Sequence, residues 1–479
     1  MNTLKKILAF LFLIPLLILL SFTLQRKANV TEYVLSQKWL THPADSILFQ
    51  SVMIRPMSVP SLKELPAISV SEYDQFQSMD GFGFTLTGGS ARLINQMNAS
   101  NRTQLLQELF DTNSGIGISY LRISIGASDL SDSSYSYNDL SSGQTDIKLE
   151  HFSIEMERVH LIPVLKEILS INPEIKIMGS PWSAPTWMKT NNSFIGGSLR
   201  REFFDVYANY LVRFIKEMEI EGIFIDAITV QNEPLHPGNN PSMFMESADQ
   251  ALFIKNSLGP AFRKAALNTK IVIYDHNADR IDYPEAVLMD KEAYPFIDGT
   301  AFHLYGGQIN DISKLHDDFP EKNLYFTEQW IGAPGQLQED LTWHTENLII
   351  GATRNWCKNV LEWNLAADKD LKPHTDMGGC TLCLGAISID GNSITLNPAY
   401  YIIAHASKFV RPGSVRIASN MPENLPNVAF KTKTGTIVLI VLNKANMVSD
   451  FIINLGNSTI LESLEAGAVA SYILTPQYR

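Results

Sequence analysis

Two glutamates stand at the ends of short apolar runs. Ile225-Asp226-Ala227-Ile228-Thr229-Val230-Gln231-Asn232-Glu233-Pro234 is rich in β-branched residues and reads as a buried strand. An amide, a carboxylate and a proline stop it, which leaves Asn232 and Glu233 at its C-terminal rim. The pattern returns in Asn323-Leu324-Tyr325-Phe326-Thr327-Glu328-Gln329-Trp330, with a tryptophan beside the carboxylate. Carboxylates at the ends of two parallel strands of one barrel can face each other across a sugar-sized cleft. Glycosidic bond cleavage needs such a pair: one carboxylic acid to protonate the leaving oxygen, one carboxylate to attack or to activate water. A single strand-end glutamate is more often a plain loop carboxylate, and it is the repetition that favours chemistry. Ser180-Pro181-Trp182-Ser183-Ala184-Pro185-Thr186-Trp187-Met188 adds a rigid aromatic stretch after another strand. An indole there can stack on the apolar face of a sugar, or simply pack in the core, a choice left open for both Trp182 and Trp187.

The elements around these residues alternate. Helices are expected over Asn101–Phe110, Glu155–Asn172, Glu202–Glu219, Ala248–Ala266 (kinked at Gly259-Pro260) and about Leu341–Asn355. Strands are expected near Gly83, at Tyr120–Ile125, Ile175–Met178, Ile225–Val230, Lys270–Tyr274, Gly299–Tyr305, Asn323–Glu328 and Val360–Asn364. Eight strands with helices between most of them predict an α/β fold, a (β/α)8 TIM barrel whose active site lies on the loops after the strands. After Asn397-Pro398 a helix, Ala399–Phe409, gives way to short strands that read as an all-β side sandwich. The proline-dotted stretch before residue 75 reads as irregular with β-like pieces, and is expected to supply that sandwich's missing strands and make it discontinuous. The expected division is an export segment over 1–28, the sandwich's N-terminal strands over 29–75, the barrel over 76–400 and the C-terminal sandwich over 401–479.

Composition narrows the function further. The chain has 479 residues, 45% hydrophobic and 18% charged, which describes an ordinary globular protein large enough for two domains. A net charge of −12 excludes nucleic acid as a partner, since nothing neutralises phosphates. Lys5-Lys6 followed by the apolar Ile7–Leu20 reads as an export signal or an uncleaved signal anchor. The expected location is therefore secreted, periplasmic or cell-surface, with membrane contact only through that segment or through a lipid substrate. Cys357, Cys380 and Cys383 are the three cysteines. A lone C-x-x-C without a second pair or a His cluster argues against zinc, and in an exported chain a Cys380–Cys383 disulfide is expected, with two free thiols as the alternative. The glycines of Met79–Gly89 have neither Walker nor dinucleotide spacing, and a first barrel strand with close backbone packing is the better reading.

Several of these motifs, in this order, resemble glycoside hydrolase family 30, the glucosylceramidase-like retaining β-glycosidases. They are Gly81-Phe82-Gly83, the Ser180–Lys189 run, Asn232-Glu233-Pro234, Phe302-His303-Leu304-Tyr305, Phe326-Thr327-Glu328-Gln329-Trp330 and Trp363-Asn364-Leu365-Ala366. The resemblance implies Glu233 as acid/base, Glu328 as nucleophile and Arg122 as the cation that keeps the nucleophile ionised. It further implies substrate contacts for Asp129, Trp182, Asn232, His303, Tyr305 and Trp363, no metal or organic cofactor, and a β-glucoside substrate. The loop Asp368–Asp390 departs from the lipid-cleaving members and looks like the microbial branch, so that β-1,6-glucan stands beside glucosylceramide-like glycosides as substrate. A retaining hydrolase of another β-glycoside (xylan or fucoside) and a catalytically silent carbohydrate-binding protein are the alternatives.

Overall fold

The structure, a computed structural model, describes residues 30–54 and 65–478, so the expected export segment lies outside the described residues. Eight parallel strands close into a barrel: Gly81–Thr85, Tyr120–Ile125, Lys176–Pro181, Ala227–Thr229, Lys270–Asn277, Ile297–His303, Asn323–Glu328 and Cys357–Asn364. Strand eight pairs back on strand one through Val360 opposite Phe82 and Leu361 opposite Gly83. One layer inside the barrel is built from Tyr120, Met178, Ala227, Val272, Ala301, Tyr325 and Leu361, a residue from each strand but the first. Gly83 of the first strand has no room for a side chain, because a Cβ there would lie 1.9 Å from the Tyr120 carbonyl oxygen.

The sequence misplaced several boundaries for identifiable reasons. The strand before Glu233 is only Ala227–Thr229, because Ile225 and Asp226 precede its ladder. The Glu155–Asn172 helix is two, Glu155–Val159 and Leu161–Ile171, separated at His160, whose backbone is not helical. The kink expected at Gly259-Pro260 is a π turn at Ile254–Leu258, immediately before Gly259-Pro260, whose proline lacks an N–H to continue the α ladder. A helix over Gly88–Gln96, capped by the Thr87 hydroxyl accepting from the Ser90 N–H, went unread because its glycines resemble loop.

The side domain is a nine-stranded sheet. Its order is Ile47–Val52, Val30–His42, Val469–Tyr478, Ile437–Leu442, Asn427–Lys431, Val415–Ser419, Ala67–Ser78, Ser449–Leu455 and Ser458–Leu464. Within the described residues the stretch before residue 75 is therefore mostly strand rather than irregular chain, with Val30–His42 running thirteen residues. The Tyr33 N–H donates to Ser458 Oγ (2.6 Å), so the two ends of the sheet curl toward each other. Ile437-Val438-Leu439-Ile440-Val441-Leu442 is apolar without alternation because both of its faces are buried. Ile437, Leu439 and Val441 face the sandwich core, whereas Val438, Ile440 and Leu442 join the barrel's core, and Phe430 meets Phe82 edge-on at 6.3 Å. That two-sided burial seats the sandwich on the barrel.

Candidate active site

Glu233 lies just past the fourth barrel strand and Glu328 ends the seventh. A carboxylate oxygen of each and a ring nitrogen of His303 all lie within 4.8 Å of one another. Glu233 takes a left-handed backbone (φ 44°), as do Tyr274 and Asp275 (φ 69° and 66°) across a bulge in the fifth strand. Such residues cost about 1–3 kcal/mol each and concentrate at functional sites. The Glu233 N–H donates to the Asp275 carbonyl oxygen (3.0 Å), so one strained turn holds the other.

Arg122 organises the floor. Fully buried on the second strand, it donates from one nitrogen to Glu328 Oε2 (2.5 Å) and from another to Asp275 Oδ2 (2.8 Å), Asn232 Oδ1 (2.6 Å) and Ser180 Oγ (3.1 Å). Asp275 also meets His303 Nε2 (3.1 Å) and accepts from Thr327 Oγ1 (2.6 Å). Burial raises the Asp275 carboxyl, but Arg122, His303 and Thr327 together hold it well below the usual carboxylate range. His303 reaches Glu233 Oε1 with Nδ1 (3.1 Å), and three carboxylates around it outweigh burial and lift it to about 9. Tyr305 donates its hydroxyl to Glu328 Oε1 (3.0 Å), and Asn239 donates to Glu233 Oε2 (3.3 Å).

The two glutamates respond in opposite directions. Burial raises the Glu328 carboxyl, with Glu233 adding to it and with His303 and Arg122 opposing. Burial also raises Glu233, but the hydrogen bond and charge of His303 more than offset that and leave it lowered. The raised His303 thus lies one hydrogen bond from the lowered Glu233. Asp129 is pushed up to about 8 by burial and then by the charges of Glu328 and Glu233, so its carboxyl is protonated at neutral pH. Its Oδ1 is buried without a hydrogen-bond partner, which leaves a donor–acceptor group open to a ligand.

A cleft of about 370 Å³ opens above, lined by Asp129, Glu233, Tyr305, Glu328 and Trp363 together with His236, Asn239, His276, Asn277, Trp330, Cys380 and Cys383. Trp182 is under this floor and not on it. It is 1% exposed, stacked on Trp363 (5.4 Å) and lying 4.7 Å from the Arg122 guanidinium, so its face is already taken. Trp182 thus backs Arg122 and Trp363, and Trp363 lines the cleft. Trp187 packs edge-on against Phe203 and donates to the Asn138 carbonyl oxygen (3.0 Å), a core position. Cys380 and Cys383 are bonded to each other, and Cys357 is a buried free thiol. Their loop is tied to three others. Gly332 pairs with Cys383, the Thr375 N–H donates to the Asp129 carbonyl oxygen (2.9 Å), and Asn240 Nδ2 donates to the Asp376 carbonyl oxygen (2.6 Å).

Among the described residues, Glu233, His303 and Glu328 form the one cluster of metal-type ligands close enough to share a cation. Both His303 nitrogens already meet carboxylates, and Arg122 supplies the cation that Glu328 would otherwise lack. The arrangement is a hydrogen-bonded network of two cationic groups and three carboxylates. Sequence reasoning missed Asp275, its centre, although Asp275 also follows an apolar run, the signal that singled out Glu233.

Known proteins match this chain along most of its length. A family model described as the glycosyl hydrolase family 30 TIM-barrel domain matches residues 79–410, and one described as that family's beta sandwich domain matches 413–472. Endo-1,6-beta-D-glucanase neg1 of Aspergillus fumigatus is 35% identical over 359 residues, covering 71% of this chain and 72% of its own. The solved structure of the endo-beta1,6-glucanase BT3312 superposes with a TM-score of 0.84 at 34% identity, covering 91% of this chain and 98% of that one. The lysosomal acid glucosylceramidase of Mus musculus is 28% identical, covering 78% of this chain and 76% of its own.

Proposed function

The chain belongs to glycosyl hydrolase family 30, a family of retaining glycosidases, and we propose that this member cleaves β-1,6-linked glucan internally, with Glu233 as acid/base and Glu328 as nucleophile. The linkage rests on similarity to two endo-1,6-glucanases at 34–35% identity, against 28% for the glucosylceramidase. The roles rest on the carboxylate oxygens lying within 4.8 Å. That spacing suits the retaining arrangement, with carboxyl groups about 5–5.5 Å apart, and leaves no room for the water of the inverting one.

The proton inventory supports the same assignment. A sugar entering the cleft displaces water, and a low dielectric favours the neutral pair His303 and Glu233–COOH over imidazolium and carboxylate. Transfer across the His303 Nδ1–Glu233 Oε1 bond arms the acid; it removes both the Glu233 charge that raised Glu328 and the His303 charge that lowered it, which leaves Arg122 to hold the nucleophile ionised. Glu328, steadied by Arg122 and Tyr305, attacks the anomeric carbon while Glu233 protonates the glycosidic oxygen. A covalent glucosyl-enzyme forms, and Glu233, now a carboxylate, deprotonates the water that releases it. Asn232 Oδ1 accepts from Arg122, which leaves the Nδ2 hydrogens to donate to the sugar's 2-hydroxyl. Asp129, Tyr305 and Trp363 hold the rest of that sugar. Export through residues 1–28 belongs to this reading, and N-terminal sequencing of the secreted protein tests it.

A lipid glucoside is the second reading, favoured by Met377 and Leu382, which are 83% and 53% exposed on the disulfide loop at the rim. Incubation of the protein with pustulan, glucosylceramide and an aryl β-glucoside separates the two. Short β-1,6-glucooligosaccharides are expected; glucose released from the lipid alone overturns the proposed linkage.

A further inference from the structure

The mechanism leaves part of the cleft unused. His236, His276, Asn277 and Trp330 line it, yet none is hydrogen-bonded to either reacting carboxylate. His276 is the most informative of them. It is 7% exposed, it lines the cleft, and its Nδ1 is buried without a hydrogen-bond partner. A buried polar nitrogen left unpaired is uncommon, and one bordering a cavity is available for a ligand. Its placement is fixed by the chain: it follows Asp275 in the left-handed bulge, whose carbonyl oxygen accepts from the Glu233 N–H. Burial holds the imidazole near 4, so at neutral pH it is uncharged, with one nitrogen to donate and one to accept.

Chemistry decides which sugar it meets. The acid/base must lie at the glycosidic oxygen, so side chains beside it that do not surround the anomeric carbon belong to the leaving group. His276 sits beside Glu233, since the fifth strand is the neighbour of the fourth. Trp330 follows Glu328 by two residues and is half-buried in a cluster with Trp363, Leu130 and the Cys380–Cys383 pair. It packs on Gly332, whose backbone is paired with Cys383, and so is held as a fixed plate. A plate and an uncharged donor–acceptor make the combination that binds a neutral hexose: one takes C–H faces, the other hydroxyls.

We propose that His276 and Trp330 form the subsite for the first sugar of the leaving group, the imidazole hydrogen-bonding its hydroxyls and the indole lying against its ring. The inference rests on the glucan-cleaving reading and gives a physical basis for preferring a saccharide to a lipid aglycone.

The test compares leaving groups within one variant. His276→Ala, His276→Gln and Trp330→Ala are assayed on gentiotriose, laminaribiose, cellobiose and an aryl β-glucoside, whose leaving group offers no sugar hydroxyls. For His276→Ala, kcat/KM is expected to fall about tenfold more on the sugar-linked substrate than on the aryl glucoside, the scale of one lost hydrogen bond. His276→Gln should recover part of that difference, and Trp330→Ala should show the same selectivity through KM. Equal losses on both substrate types overturn the subsite and make His276 a support for Glu233. Cleavage of laminaribiose or cellobiose but not gentiotriose overturns the β-1,6 reading while the subsite is still measured on the accepted disaccharide. Rejection of every saccharide, with the aryl glucoside turned over, overturns both.

Discussion

The floor and the rim of the cleft are built by opposite means. On the floor, Arg122, Asp275, His303 and the two glutamates are buried, and cations meet carboxylates through bonds of 2.5–3.1 Å. At the rim, the loop carrying Cys380 and Cys383 is held by backbone hydrogen bonds and a disulfide, and leaves Met377 and Leu382 in solvent. Protein atoms meet most of the floor's polar groups, Arg122 Nε being an exception; the ligand must complete the rim. The difference teaches that reaction and selectivity are separable here, and substitutions in the two regions should fail differently.

The largest effect belongs to the floor. Glu328→Gln is expected to lower kcat by at least about 10⁴-fold with folding unchanged, since it removes the proposed nucleophile. Glu233→Gln should cost about 10²–10⁴-fold on glucan, the usual worth of a positioned acid, and much less of the first step on a dinitrophenyl glucoside that leaves unaided. Retained glucan hydrolysis by Glu328→Gln overturns the roles. Asp275→Asn breaks a buried pair and leaves Arg122 short of a countercharge, which should cost about 3–5 kcal/mol in urea unfolding.

A smaller effect tests the proton store. His303 is raised from 6.5 to about 9 in the folded chain, so its contribution to stability is full below pH 6.5 and lost as pH rises through about 9. The alkaline limb of kcat/KM should fall in that window, and His303→Gln should move it to lower pH, because Glu233 must then hold the proton alone. An unmoved limb would show that His303 only packs.

The smallest effect on stability belongs to the rim. Replacing Cys380 and Cys383 by serine opens a loop of four residues, and chain entropy alone makes this cost about 2 kcal/mol. The expected readout is the product pattern: pustulan chains should shorten differently while aryl-glucoside turnover changes little. Equal losses on both substrates would erase the distinction between floor and rim.

The sequence read the floor better than the rim. Glu233 and Glu328 stood out because apolar strands lead straight into them, and the alternation of elements gave eight strands and a second, all-β unit. Asp275 escaped because the apolar run was closed at Tyr274, whereas a bulge carries the ladder on to Asn277. Trp182 was legible as a residue that matters, but a motif does not say which face of an indole is free. Val30–His42 looked irregular because the exposed Glu32, Ser36 and Gln37 interrupt its apolar positions; only its pairing with Val469–Tyr478 and Ile47–Val52 makes it a strand. Pairing between distant segments is invisible to local pattern.

That pairing also governs the order in which the protein can be made. Val30–His42 is synthesised hundreds of residues before Val469–Tyr478, its neighbour along nearly its whole length. Until the last strand leaves the ribosome, the first has one flank open, with its amides and carbonyls free to pair with another chain. Synthesis that stalls late would therefore release a chain whose barrel strands are all present but whose oldest strand is unmatched, a species chaperones must shield.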